Sequence, residues 1–171
     1  LFFDTWAGLS VASEIPEIFA KAFYIAKSGR PGPVLIDVTK DAQFGELDFS
    51  YKACEHVRSY NPVPPMDPEK IAAAAAIIND AKKPFIVWGQ GITLGNAENE
   101  FKDFIEKAGI PSASTLLGLS ALPSDHELHV GMVGMHGNYA PNKLTNECDV
   151  LIAVGMRFDD RVTGNLATYA A

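Results

Sequence analysis

The sequence has 171 residues and a mass of 18.4 kDa, room for one ordinary domain or one domain plus a piece of another. It is 47% apolar and 20% charged, which can fill a core and excludes wholesale disorder. Fourteen basic side chains against 21 acidic ones leave a net charge of -7, which argues against a nucleic-acid partner.

The opening LFFDTWAGL has no basic leader region, and the chain is expected to be a piece of a longer protein. A helix is expected from about Ser13, with Pro16 in its first turn and apolar residues at Ile15, Ile18, Phe19, Ala22, Phe23 and Ala26. Gly29 should end it. The turn Gly29-Arg30-Pro31-Gly32-Pro33 then delivers Val34 to Val38, a continuous apolar run suited to a buried parallel strand. From Gln43 to Pro65 the pattern is lost, and Asn61-Pro62-Val63-Pro64-Pro65 reads as a stiff interdomain connector. Cys54 and Cys148 lie far apart in unlike contexts, forming neither a metal pair nor a disulfide framework, which suits a reducing cytosol.

Beyond the connector a regular alternation begins. Asp67 with Pro68 should cap a helix to about Ala81, a segment that includes five consecutive alanines. Its apolar run 71–78 falls far short of the roughly 20 residues a bilayer crossing needs, so no membrane role is expected. Phe85 to Trp88 reads as a strand, Ala97 to Ala108 as a helix stopped by Gly109, and Ile110 to Thr115 as a short strand. A long glycine-containing loop, a helix over Pro141 to Glu147 and a strand over Asp149 to Val154 complete the series. This order predicts an α/β fold with a doubly wound parallel sheet of about three strands.

Ligands of such sheets bind beyond the carboxyl ends of the strands. Three glycine-bearing loops fall there: Gly89-Gln90-Gly91, Leu117 to Asn138, and Gly155 to Asn165. The first misses the GxGxxG dinucleotide fingerprint by one position. It suits either phosphate approach by backbone amides or merely a tight strand-to-helix turn. In the last loop Arg157 and Arg161 can grip a pyrophosphate while Asp159 or Asp160 accepts from a hydroxyl, or the four can pair among themselves. The middle loop offers Met132, Met135 and His136 among four glycines, which could line a flat aromatic ligand. His126 and His129 with Asp125 and Glu127 match no standard metal spacing and read as a solvated loop. No nucleophile with a positioned base and no acid–base carboxylate pair is evident, so the residues suggest a cradle for a nucleotide-type cofactor. A nicotinamide dehydrogenase half is disfavoured, because Asp103 and Glu106 fall in a predicted helix where a strand-end acid is needed.

Three segments carry a family resemblance. SGRPGPVLIDVTKDAQ (28–43), LLGLSALPSDHELHVGMVGMHGN (116–138) and DVLIAVGMRFDDRVTGN (149–165) resemble the acetolactate synthase (acetohydroxyacid synthase) large-subunit family of thiamine-diphosphate-dependent enzymes. The resemblance implies that residues 1–45 are the end of a pyrimidine-binding domain, 46–65 a connector, and 66–171 most of a central FAD-binding domain. It implies FAD contacts at Arg30, Gly89, Gln90, Gly91, Thr115, Leu116, Leu117, Gly134, Met135, His136, Gly137 and Asn138. Gly155, Arg157, Asp159, Arg161 and Val162 would complete that set, with Asp160 and Arg161 at a substrate channel. The implied reaction joins pyruvate to a second pyruvate or 2-ketobutyrate with loss of carbon dioxide, for branched-chain amino acid synthesis. The implied partners are 2-keto acids, a second catalytic subunit in a homodimer or homotetramer, and a small regulatory subunit, all in the cytoplasm. Thiamine diphosphate and Mg2+ would bind elsewhere in the parent enzyme, so no catalytic residue and no metal ligand is expected here. The alternatives are a non-catalytic interaction domain that keeps the fold, or another thiamine-diphosphate-dependent carboligase or decarboxylase.

Overall fold

A computed structural model describes residues 6–170, which divide into two compact units at Met66/Asp67. In the first unit β1 (Trp6–Leu9) pairs in parallel with β2 (Leu35–Val38), linked by α1 (Ile15–Lys27). Neither β1 nor α2 (Lys40–Phe44) was expected from the sequence. The short α2 overlaps only the first residues of the stretch from Gln43 that lacks a pattern, and it is held by the Thr39 side chain, which accepts from the Ala42 N–H. Ser13 does not cap α1. It lies in a 3-10 turn over Ala12–Glu14, and Pro16 sits in the first turn of the helix, where its missing N–H has no helical partner to lose. The buried apolar residues of this unit, among those described, are all alanines: Ala12, Ala20, Ala22 and Ala42.

The second unit opens with α3 (Pro68–Asp80). Asp67 Oδ1 accepts from the Glu69 and Lys70 N–H groups, and Pro68 occupies the first position. There follow β3 (Pro84–Trp88), α4 (Gly91–Leu94), α5 (Glu98–Ala108), β4 (Ser112–Ser114), β5 (His129–Met132), α6 (Tyr139–Glu147), β6 (Val150–Val154) and α7 (Asp160–Thr163). The four strands form one parallel sheet in the order β5-β4-β3-β6. The doubly wound parallel architecture is therefore as expected, but with four strands where about three were predicted. The addition, β5, lies inside the stretch read as a loop. It joins β4 through an irregular register, and Gly131 within it has φ +118°.

Period-two alternation along β3 builds two cores. Ile86 and Trp88 face Ile92, Phe101, Ile105, Ile110, Ala121 and Leu122, whereas Phe85 and Val87 face Ala113 and Val133 on the opposite side. α5 presents Phe101 and Ile105 to the first core and ends at Gly109, whose φ of +63° is the left-handed cap that glycine tolerates. Trp88 anchors that core: it stacks on Phe101 and His129 with centroids at 5.4 and 4.8 Å, and its Nε1–H donates to Gly118 O at 2.9 Å.

Candidate functional site

Because β3, β4, β5 and β6 run parallel, their carboxyl ends emerge on one edge, and hydrogen bonds join the loops that follow. Gly89 N–H donates to Val154 O at 3.0 Å, Gly91 N–H to Gly155 O at 2.7 Å, and Thr115 N–H to Trp88 O at 2.8 Å. Val133 N–H donates to Ser114 O at 2.9 Å, and Met135 N–H to Arg161 O at 2.7 Å. The loops singled out in the sequence of this unit thus form one continuous surface. Arg30 belongs to the first unit, exposed on the turn between α1 and β2.

The glycines of this surface answer to packing. A Cβ on Gly89 would lie 2.7 Å from Gly155 O, and one on Gly91 would lie 2.6 Å from Gly155 Cα. Gly118 abuts Trp88 O in the same way, and a Cβ on Gly134 (φ +101°) would lie 2.6 Å from Arg161 O. A phosphate cradle of backbone amides was the expectation. The amides of Gly89, Gly91, Met135, Gly137 and Asn138 instead donate to protein carbonyls, and that of Gly134 donates to Asn142 Oδ1. At these positions the loops bind one another, and exposed side chains are left on the same edge.

Those side chains are of two kinds. Leu116, Leu117, Met135 and Phe158 are each more than half exposed, and His136 is exposed beside Met135. The charged groups separate: Arg157 Nε and Nη2 both reach Asp159 Oδ2 at 3.1 Å, while Asp159 Oδ1 accepts the Val162 N–H at 3.2 Å and so caps α7. Among the described residues Arg161 forms no ion pair, and both it and Asp160 are exposed. Gln90 is half-buried at the start of α4. Ser114, wholly buried at the end of β4, has a hydroxyl without a protein partner among the described residues.

His129 is not in a solvated loop. It lies in β5 against Trp88, while His126 accepts from the Leu128 N–H and lies 3.4 Å from Glu106. Among the described residues no three His, Cys, Asp or Glu side chains are grouped to hold a metal. Both cysteines are free thiols, and burial raises the pKa of Cys148 above the ordinary thiol value. Two cavities of about 630 and 450 Å3 lie within the first unit, near Tyr24 and Tyr60 and near Lys21 and Cys54. Sequence reasoning missed Asn142, whose amide bonds both backbone groups of Gly134. A helix-start asparagine after a glycine-rich loop was its only signal.

A doubly wound parallel sheet with a loop-built surface at its carboxyl edge defines the class of this second unit. The family described as "Thiamine pyrophosphate enzyme, central domain" matches residues 71–171, and the chain belongs to that family. Its relatives include the acetolactate synthase large subunit of Corynebacterium glutamicum, 44% identical over 92% of this chain and 25% of the relative. The acetolactate synthase large subunit of Buchnera aphidicola is 43% identical over 91% of this chain and 28% of its own length. A solved structure from Mycobacterium smegmatis, assigned as a thiamin diphosphate-dependent enzyme, matches with a TM-score of 0.68 at 27% identity. That match covers 90% of this chain and 29% of the other. The chain therefore spans about a quarter of the length of the curated relatives it matches.

Proposed function

We propose that this chain is the middle section of an acetolactate synthase large subunit and that its second unit binds FAD. The supporting observation is the meeting of the 116–118, 134–137 and 155–163 segments on one edge, which carries exposed apolar side chains and Arg161, without an ion pair among the described residues. Such a surface suits a dinucleotide with a flat aromatic ring: Arg161 and Gln90 offer polar donors, and Leu116, Leu117, Met135 and Phe158 offer apolar contact. The partnerless Ser114 hydroxyl at the same end of the sheet fits a site completed by a further group.

On this reading residues 1–45 belong to a pyrimidine-binding domain, 46–65 connect, and 66–171 form the central domain. The parent condenses pyruvate with pyruvate or 2-ketobutyrate and releases carbon dioxide. When bound, thiamine diphosphate with Mg2+ supplies the carbanion chemistry, from parts of the parent outside this sequence. This chain's own residues bind and orient: Arg30 and the central loops toward FAD, Asp160 and Arg161 toward the substrate channel. A second catalytic subunit, a regulatory subunit and a cytoplasmic setting belong to the same proposal.

The test is to purify the product of the complete reading frame and titrate it with FAD, following flavin fluorescence and thermal stability. We expect saturable binding, about tenfold weaker in Arg161→Ala. A product that carries no flavin and gains no stability from it would defeat the reading. The Arg157–Asp159 pair favours the rival reading, a non-catalytic interaction domain, in one respect: Arg157 is internally engaged. On that reading Arg161→Ala should leave every ligand-dependent signal unchanged, and mixing the product with pyruvate, thiamine diphosphate and Mg2+ should yield no acetolactate.

A further inference from the structure

Asn142 stands in the first half of α6, half-buried and outside every loop assigned to the cofactor. Its Oδ1 accepts the Gly134 N–H at 2.8 Å, and its Nδ2 donates to Gly134 O at 3.0 Å. The amide orientation is fixed by these partners, since a reversed amide would set donor against donor and acceptor against acceptor. The clamped residue is conformationally unusual: Gly134 has φ +101° and packs within van der Waals reach of the Arg161 carbonyl. Its neighbour Met135 donates its N–H to that same carbonyl at 2.7 Å. A short relay therefore runs from the Asn142 amide through Gly134 and Met135 to Arg161.

We infer that Asn142 is a positioning residue: its two hydrogen bonds to Gly134 set the Met135–His136 loop against the Arg161 turn, so that both present one binding surface. It touches no ligand, and deepens the FAD reading above, on which its binding test rests. The relay joins the part of the surface with apolar contacts to the part with the unpaired charge. Losing the Nδ2 donor leaves the Gly134 carbonyl with the Gly137 N–H alone, and a charged carboxylate in its place repels that carbonyl.

The experiment uses Asn142→Asp, Asn142→Ala and the unchanged protein, each made from the complete reading frame. A carboxyl is an isostere of the amide, and when protonated it again offers one donor and one acceptor. FAD affinity is measured from pH 8 down to pH 4, close to the ordinary carboxyl value of about 3.9, with folding verified at each pH by near-ultraviolet circular dichroism. N142D should bind about tenfold more weakly than the unchanged protein at pH 8 and recover as the introduced carboxyl protonates. N142A should stay weak throughout. N142D matching the unchanged protein at pH 8, or staying equally weak at every pH, overturns the inference.

Hydrogen exchange at the Met135 amide provides a readout that needs no flavin. It should be faster in N142D at pH 8 and closer to normal at pH 4, after correction for the intrinsic pH dependence. Unchanged exchange overturns the inference even if FAD binds. If the unchanged protein fails to bind FAD, the cofactor reading falls while the exchange result still decides the relay. Should N142D fail to fold at pH 8, Asn142→Ser, which can keep one of the two bonds, takes its place with an intermediate loss expected.

Discussion

Gly91 and Gly109 show how differently two glycines can be constrained. An alanine methyl at position 91 would strike the backbone of Gly155 at 2.6 Å, and neither strand end can withdraw without breaking the sheet. At position 109 the space is open, and the only objection is a left-handed φ of +63°. Gly91→Ala should therefore cost about 2–3 kcal/mol, as overpacking does, and Gly109→Ala only about 1 kcal/mol. Urea unfolding of the two variants checks the order. Asp149 supplies a second prediction at this scale. Its Oδ2 and Oδ1 accept the Lys82 and Lys83 N–H groups at 2.6 and 2.9 Å, and these bonds to the charged form lower its pKa. A carboxyl whose folded pKa is depressed contributes stability above its unfolded value near 3.9 and loses it as pH falls through the lower folded value. Asp149→Asn should accordingly lower the thermal midpoint by a few degrees at pH 7, the difference shrinking as pH falls through the depressed folded value. A difference that persists undiminished at pH 2.5 would contradict the assignment.

At the scale of elements, legibility followed the strength of the local pattern. The run Phe85 to Trp88, the amphipathic α5 and the Asp67-Pro68 start of α3 were all readable, because propensity, capping and apolar spacing agree there. β5 was not. His-Val-Gly-Met has neither a continuous apolar run nor a clean alternation, and its strand conformation depends on pairing with β4 from 15 or more residues away. The same limit explains the site. That the glycine loops lie at strand ends was visible in the sequence, but not that they hydrogen-bond to one another, because that requires β6 to cross beside β3. Nor could spacing alone show that Arg157 is paired while Arg161 is not. The packing of α5 gives a direct check. Ile105 is fully buried in the core that holds Trp88, so Ile105→Ala should cost about 3–4 kcal/mol by denaturant titration. Phe104→Ala, one position along and exposed, should cost well under half of that.

Across the whole chain the two units differ in what they bury. The first unit's described core is made of alanines, whereas the second encloses Trp88, Phe85, Ile86 and Ile105. Small side chains remove little apolar surface from water, so burial by the described residues holds α1 and β2 less firmly than β3 and β4. Native-state hydrogen exchange should find the slowest amides in β3 and β4, with those of α1 and β2 exchanging at least tenfold faster. Equal protection in both units would contradict this account.

The seam of glycines between β3 and β6 has one more implication. Open sheets of this kind usually admit a guest at the point where the winding reverses, and here Gly89, Gly91 and Gly155 meet backbone to backbone at that point. A molecule bound at this edge would have that seam as its floor, so a side chain added at any of the three glycines would displace either the loops or the guest.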